Sequence, residues 1–397
     1  MNALLSGNVQ RLARLDLPGA GQVRVVGNYA YVGHLPNRAQ LGTSIIDVSD
    51  ARKPRVVSQI HLEDPRSHSH KARIVGDLLF VNSEQNGPNR QQADLQATAE
   101  QAYDGGGFRI FDVSDRSEPR LVHFQKTGGR GVHRFDVDER YAYISTEMAG
   151  YVGNILVIYD LRDPARPEEI ARWWLPGQYA AGGEKPHWPG RRNRLHHALR
   201  FGDRLWAGCW HAGLRVIDIS DIRAPRTVGE YNYHPPFPEP SHTFMPVPGD
   251  VGGRSIAVAI DEEDHAHSAA EMERRRGRPH ACLWVLDVTN LKKIEPLSLF
   301  EVSELDSPWS RAAPGRFGAH QFQEHMNDSL VYCTWFSGGL RIVDVADPLA
   351  PREVGHFIPE PAAGQSAPQT NDVDVDAKGL VYIVDRVNGF DVLQFDR

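Results

Sequence analysis

One short pattern recurs along the chain and constrains its fold more than any other feature: a small residue, alternating apolar positions, an Asp, a second Asp or Asn three residues on, then a Pro. It reads GTSIIDVSDARKP, GGFRIFDVSDRSEP, NILVIYDLRDPARP, AGLRVIDISDIRAP, ACLWVLDVTNLKKIEP and GGLRIVDVADPLAP, and a seventh copy, NGFDVLQFDR, lacks the tail. Asp47, Asp112, Asp160, Asp218, Asp287 and Asp344 hold the same place, where an Asp side chain favours an Asx turn and Pro sets the exit. The fifth copy deviates, with Asn290 as the second turn residue and Pro296 late. Period-2 alternation of β-branched residues before the turn, with a second apolar run after it (VVSQIHL, EEIARWWL, REVGHFI), makes each copy a hairpin.

Two more strand-like runs precede each hairpin, as in HHALRFGD then RLWAGCW, so each unit is a four-stranded meander. Such units cannot bury their faces alone, and radial stacking leaves only short, protected edges. The expected architecture is all-β: one seven-bladed β-propeller of four-stranded antiparallel blades spanning residues 1–397. The seventh copy ends after its third strand at Arg397, while an unpaired run at about 9–17, QRLARLDL, is available as its fourth. Ring closure by the N-terminal strand follows.

The 41% hydrophobic content suits a substantial core, and a net charge of −7 with pI near 6.2 gives no general attraction to nucleic acid or anionic lipid. Neither nucleic acid nor a membrane is expected as partner. The opening MNALLSGNVQRLARLDLPG has no continuous apolar run, and nothing later approaches eighteen uninterrupted apolar residues, so a soluble cytoplasmic protein is expected. Cys209, Cys282 and Cys333 are odd in number and set in apolar runs, which points to reduced, buried thiols.

The hairpins closely resemble the LVIVD-repeat propeller family, whose name matches runs such as LRIVDVADP, and the resemblance covers nearly the whole chain. It implies a propeller and says little about activity, because propellers host enzymes, lectins and scaffolds alike. One repeat, GCWHAGLRVIDISDIRAPR, also resembles a blade of the selenium-binding protein/methanethiol oxidase family, which implies a copper-linked redox chemistry. A further analogy is the four-histidine iron site of carotenoid oxygenases, although none of that family's local motifs stands out.

The connections differ in length by type. Turns between first and second strands are brief (VGD, DER, FGD), and third-to-fourth turns are the uniform Asp/Pro motif. Long loops at about 85–106, 176–195 and 261–280 fall among the remaining connections, which the meander gathers on one face, and long loops on a rigid scaffold often carry function. ADLQATAEQAY and SAAEMERRR within them read as short helices able to act as lids.

Aligning the units places His70, His133, His197, His242 and His320 at the start of the first strand, with Asn371 in the seventh unit and Gly21 in the first. The innermost strand lines the channel, so these imidazoles are expected to converge. Fourteen residues after three of them stand Glu84, Glu147 and His211, and the same step from Asn371 reaches Asp385. In an antiparallel pair the start of one strand and the end of the next share an edge. Clustered imidazoles raise each other's cost of protonation, and neutral imidazole with carboxylate suits a divalent transition metal: iron, copper, manganese or zinc. Inherited channel lining is the alternative.

The expected function is a metal-dependent enzyme for a small organic substrate, with His70, His133, His197, His242 and His320 as candidate ligands. Glu84, Glu147 and His211 are the candidate catalytic groups. Oxidoreductase chemistry is favoured by the resemblance; hydrolase or lyase chemistry, or a noncatalytic propeller binding a protein or glycan, are the alternatives. Arg191, Arg192, Arg194 and Arg274, Arg275, Arg276, Arg278 are solvated charges or an anion clamp, and Trp188, Trp210, Trp309 and Trp335 are core residues or an aromatic wall.

Overall fold

The computed structural model describes residues 3–87, 103–188, 192–264 and 266–397. Its backbone divides into two compact units, one of residues 1–30, 47–55 and 235–397, the other of 31–46 and 56–234. The helix expected at ADLQATAEQAY lies outside the described residues but for its last, Tyr103.

In the second unit, Val132–Val137, Tyr141–Thr146, Ile155–Asp160 and Glu168–Trp173 form a four-stranded antiparallel meander. Asn193–Phe201, Arg204–Trp210, Leu214–Asp218 and Arg226–Tyr231 repeat it. Ser67–His68 and Ala72–Val75 together act as first strand to Leu78–Gln85, Gly107–Asp112 and Arg120–Lys126. Burial falls outward: the second strand Arg204–Trp210 is buried past its first residue, and the fourth strands begin exposed.

The sheets stack face to face. Tyr143, Leu156 and Ile158 pack on Leu195, Leu205 and Ile217, and Phe80, Phe108 and Ile110 pack on Phe135, Ile144 and Val157. Each such side chain contributes about 1.5–3 kcal/mol by leaving water, which makes this stacking the main stabilising term.

In the first unit the last sheet draws on both ends of the chain. Val9–Pro18 pairs antiparallel with Asn388–Phe395, aligning Gln10 with Gln394 and Leu15 with Phe390. Val381–Asp385 and Thr370–Val375 complete that sheet. Its interior, Val373, Val381, Ile383 and Leu393 with Val9, packs on Tyr332, Leu340, Ile342 and Phe357 of the sheet before it.

The recurring Asp does what its position requires. Asp47, Asp112, Asp160, Asp218, Asp287 and Asp344 each accept, through Oδ1, from the backbone N–H two residues on at 2.8–2.9 Å. The second acid repeats the turn, as in Asp50 to Arg52 and Asp221 to Arg223, both 3.0 Å. Asn290 does the same for Lys292 at 3.1 Å, which is why the fifth copy tolerates the change.

Among the described residues no helix is long and apolar enough to cross a membrane. SAAEMERRR forms a helix, Ala269–Arg275, started by a capping box between Ser268 and Glu271.

Candidate metal centre

The first strands are not regular, and the irregularity positions the site. Val132 pairs with Thr146 and Arg134 with Ser145, which leaves His133 as an extra, bulged residue. The same bulge falls on His242 between Ser241 and Thr243, on His320 between Ala319 and Gln321, and on Asn371 between Thr370 and Asp372. A bulge re-aims the side chain it carries, and bulges gather beside functional sites. In the fourth repeat the shift lies between Asn193 and His197, so His196 falls within the bulge while His197 is back in the ladder opposite Gly208.

In the second unit His68, His70, His133 and His196 form a row. Ring centroids are 4.6 Å apart for His68 and His70, 5.2 Å for His70 and His133, 4.9 Å for His133 and His196, and 4.8 Å for His196 and the indole of Trp210. His68, His70 and Glu84 offer ligand atoms within 4.8 Å of one another.

Hydrogen bonds set the proton on each ring. The Asn86 amide donates to the Pro65 carbonyl at 2.9 Å, so its oxygen receives Nδ1–H of His68 at 2.8 Å. Nε2 of His68 therefore faces Glu84 Oε2 at 3.4 Å, where a ring proton or a bound cation can bridge the two. With Nδ1–H committed, Nε2 is the atom that can share a cation with Glu84, and a carbonyl behind Nδ1 is the usual support of an imidazole ligand.

His133 is bound differently. Its Nδ1–H donates to Glu84 Oε2 at 2.9 Å, and its Nε2 accepts from Nε2–H of His196 at 3.0 Å. Burial draws His133 down to about 4, against the opposing pull of Glu84. Burial alone would raise the Glu84 carboxyl, but His133 and His68 hold it well below the usual carboxylate range.

His70 is held as its Nε2–H tautomer. Asn82 takes the Lys71 N–H on Oδ1 at 2.8 Å and donates Nδ2–H to the Val132 carbonyl at 2.9 Å and to His70 Nδ1 at 3.0 Å. Burial, then the charge of Lys71, keeps His70 neutral, well below its ordinary value. Recruiting His70 to a metal through Nε2 therefore requires its proton to move to Nδ1 and the Asn82 amide to turn.

The first unit holds a second donor set. The rings of His242 and His320 are tilted against each other with centroids 4.5 Å apart, and their Nε2 atoms lie 3.7 and 3.9 Å from Glu262 Oε2 and Oε1. Nδ1–H of His242 is taken by Thr243 Oγ1 at 2.8 Å and Gln321 Oε1 at 3.1 Å, and that of His320 by the Asn371 carbonyl. Both Nε2 lone pairs thus face the carboxylate, which Arg316 also reaches at 2.9 Å. Of the expected ligands, then, His70 and His133 stand together in one unit and His242 and His320 in the other.

Three expected site residues have other surroundings. His197 receives Arg134 Nη1 at 3.5 Å and bonds the Phe135 backbone; His196, its neighbour, stands in the row instead. Glu147 accepts the Arg130 N–H at 2.9 Å and lies against Gly129, whose φ of +52° brings backbone into contact with the carboxylate. His211 Nδ1 accepts the Arg192 N–H at 3.1 Å, tying a loop to a strand end. Residues missed by the alignment are His68 and His196, whereas Glu262 belongs to the acidic run Asp261, Glu262, Glu263 and Asp264 by which the sequence extends the fifth unit toward the site. The only prior signal for His68 was the alternation SHSHK, which puts His68 and His70 on one side.

The helix Ala269–Arg275 is pinned by a buried carboxylate. Glu263 accepts from His267 Nε2 and His280 Nδ1, each at 3.1 Å, and Arg275 bonds Glu239 at 2.7 Å. The three cysteines are free and buried, and burial pushes the Cys209 thiol up to about 12, far from a nucleophile's range.

Stacked four-stranded meanders, with the last sheet completed by the N-terminal strand, define a β-propeller. Solved structures agree on the fold: the C-terminal WD40 domain of Sif2 (TM-score 0.56, 9% identity, 98% of this chain and 99% of that one) and the Pseudomonas aeruginosa periplasmic gluconolactonase PpgL (0.57, 10%, 94% and 89%) are similar to it. The computationally designed Ika8 protein is similar as well (0.53, 8%, 98% and 100%). Four stretches of the chain are similar to a known propeller repeat: the family model "LVIVD repeat" matches residues 19–60, 102–127, 202–233 and 330–358. No curated protein matches it in sequence.

Proposed function

We propose that the protein is a metal-dependent enzyme that acts on a small organic molecule by proton-transfer chemistry, hydrolysis or elimination. The observation that carries this reading is the His68, His70 and Glu84 donor set, with His68 Nε2 3.4 Å from Glu84 Oε2, beside a carboxylate–imidazole–imidazole chain. His68 and Glu84 would hold the ion, with His70 recruited when its ring proton shifts from Nε2 to Nδ1; the ion would supply Lewis acidity and a bound water of lowered pKa.

The chain's own residues manage the proton. One accepted at the remaining nitrogen of His196 is matched by passage of its Nε2–H to His133 Nε2, and the positive charge then rests 2.9 Å from Glu84. Neutral imidazoles are the competent starting state for such a base. A relay of this kind supports hydrolase or lyase chemistry over the oxidoreductase reading, which rests on the one-blade resemblance. PpgL, a protein of the same fold, is named a gluconolactonase, so lactone chemistry is within reach of the scaffold.

The test is metal analysis of protein purified without a histidine tag, followed by a lactone and ester panel on stripped and reloaded protein. Stoichiometric metal that is lost when His68→Ala and Glu84→Gln are combined supports the proposal. Substoichiometric metal indifferent to those changes overturns it.

A further inference from the structure

The last sheet carries a guanidinium that no ion pair absorbs. Arg386 follows the strand Val381–Asp385, in the turn that leads to Asn388–Phe395. That turn is closely held. The Asp385 carboxylate accepts from the backbone N–H groups of Gln369 at 2.6 Å, Val387 at 2.7 Å and Asn388 at 3.2 Å, and the Arg386 N–H donates to the Gln369 carbonyl at 2.8 Å. Gly19 packs on the Arg386 carbonyl so closely that a Cβ there would overlap it.

The side chain is fixed as well as its backbone. Arg386 Nη1 donates to Asn371 Oδ1 at 2.9 Å, and Asn371 Nδ2 donates to the Gly21 carbonyl at 2.9 Å, which sets the amide orientation. Asn371 holds the bulged place that a histidine holds in other repeats, so in the last sheet that place orients a guanidinium instead of supplying an imidazole. The Asn371 carbonyl also takes Nδ1–H of His320, which ties Arg386 to the donor set of the first unit.

The neighbouring carboxylates are engaged elsewhere. Glu262 is bonded by Arg316 at 2.9 Å, and Asp385 by its three backbone N–H groups. Among the described residues Arg386 makes no ion pair, and its side chain donates to Asn371 alone. Burial, then the like charge of Arg316, draws Arg386 down to about 10, against the pull of Glu262 and Asp385. A guanidinium largely withdrawn from water with no carboxylate in contact attracts an anion, and its planar fork offers parallel N–H donors to a pair of oxygens.

We infer that Arg386, oriented by Asn371, anchors an oxyanion-binding site in the first unit that takes the carboxylate or phosphate group of a small ligand. The site shares no residue with the His68–Glu84 set and needs no metal.

Equilibrium dialysis of the full chain in chelator tests it, with labelled acetate for carboxylates and labelled inorganic phosphate for tetrahedral oxyanions. Saturable binding of one or both probes by the wild type is expected, at least about tenfold weaker in Arg386→Gln. Arg386→Lys, which keeps the charge but not the fork, is expected to fall between. Asn371→Asp puts a carboxylate at the 2.9 Å contact, so binding is expected to be lost with Arg386 still in place. The probe that binds more tightly names the class. Binding of neither probe by the wild type, equal binding by Arg386→Gln, or unchanged binding by Asn371→Asp overturns the inference; if Arg386→Gln does not fold, Asn371→Asp decides alone. Metal is absent throughout, so a failure here leaves the metal-dependent reading standing, and a failure of metal analysis leaves this site standing.

Discussion

Glu84→Gln asks what the His68–Glu84 contact is for. In the wild type, Glu84 Oε2 receives Nδ1–H of His133 at 2.9 Å and opposes His68 Nε2 at 3.4 Å. A Gln amide fits both partners, its oxygen accepting from His133 and its NH2 donating to His68. One apposed acceptor pair becomes a hydrogen bond with a net value of about 0.5–1.5 kcal/mol, and a buried charge is removed. Where His68 is neutral without metal, the variant is therefore expected to be more stable than the wild type, by roughly 1 kcal/mol. With metal the order reverses, because the wild type gains about 2.7 kcal/mol at a hundredfold excess over its Kd and the variant does not. Urea titrations in chelator and in zinc measure both arms. If His68 is instead protonated and ion-paired, removing the carboxylate costs about 3–5 kcal/mol in chelator. That outcome refutes the argument that the contact awaits a metal.

Three other outcomes follow from the geometry. Asn82→Asp turns the group behind His70 Nδ1 from donor to acceptor, moves the ring proton and frees Nε2, so zinc affinity is expected to rise about 10–100-fold while the metal-free protein loses stability through the lost Val132 bond; calorimetric titration beside a melting curve reads both. His197→Ala is expected to lower stability by about 2–4 kcal/mol, having left a cavity under Arg134, with zinc-dependent turnover per folded molecule unchanged. His196→Ala cuts that turnover about 10²–10⁴-fold, and equal effects of the two changes would contradict the assignment. Burial would lower His280, but its bonds to Glu263 and Glu304 raise it, so its stabilisation is complete below about pH 6.5 and is lost as pH climbs through the raised folded value; amide exchange across 266–280 should speed up over that window, and His280→Gln should flatten the dependence.

Much of the fold was legible because its determinants are local. Alternation of period two, an Asp that closes its own turn and a Pro behind it act within about a dozen residues, and every one of the six turns forms as its residues require. The pairing of Val9–Pro18 with Asn388–Phe395 was also readable, since a three-stranded last repeat leaves an edge and the N-terminal run has the alternation to fill it. The site was legible only in part. His70, His133, His242 and His320 could be aligned because each holds one place in the repeat, whereas His68 lies two residues before that place and Glu262 follows the second strand without its fourteen-residue spacing.

The sequence by itself determined that adjacent histidines at 196 and 197 sit at the start of a strand, but strict alternation assigns such neighbours to opposite faces without saying which faces the row. Only the tertiary structure decided that. A bulge sets extra residues against the facing strand, here four steps from Asn193 to His197 against two from Trp210 to Gly208, and re-aims the side chains within it. In the fourth repeat that shift admits His196 to the row and leaves His197 under Arg134. The same holds for protons: Asn82 and Asn86 are ordinary polar residues in the sequence, and their different amide orientations, set by the Lys71 N–H and the Pro65 carbonyl, put the ring proton on Nε2 of His70 and on Nδ1 of His68. Residue type supplies the imidazoles; backbone groups brought near by folding decide which nitrogen of each can bind.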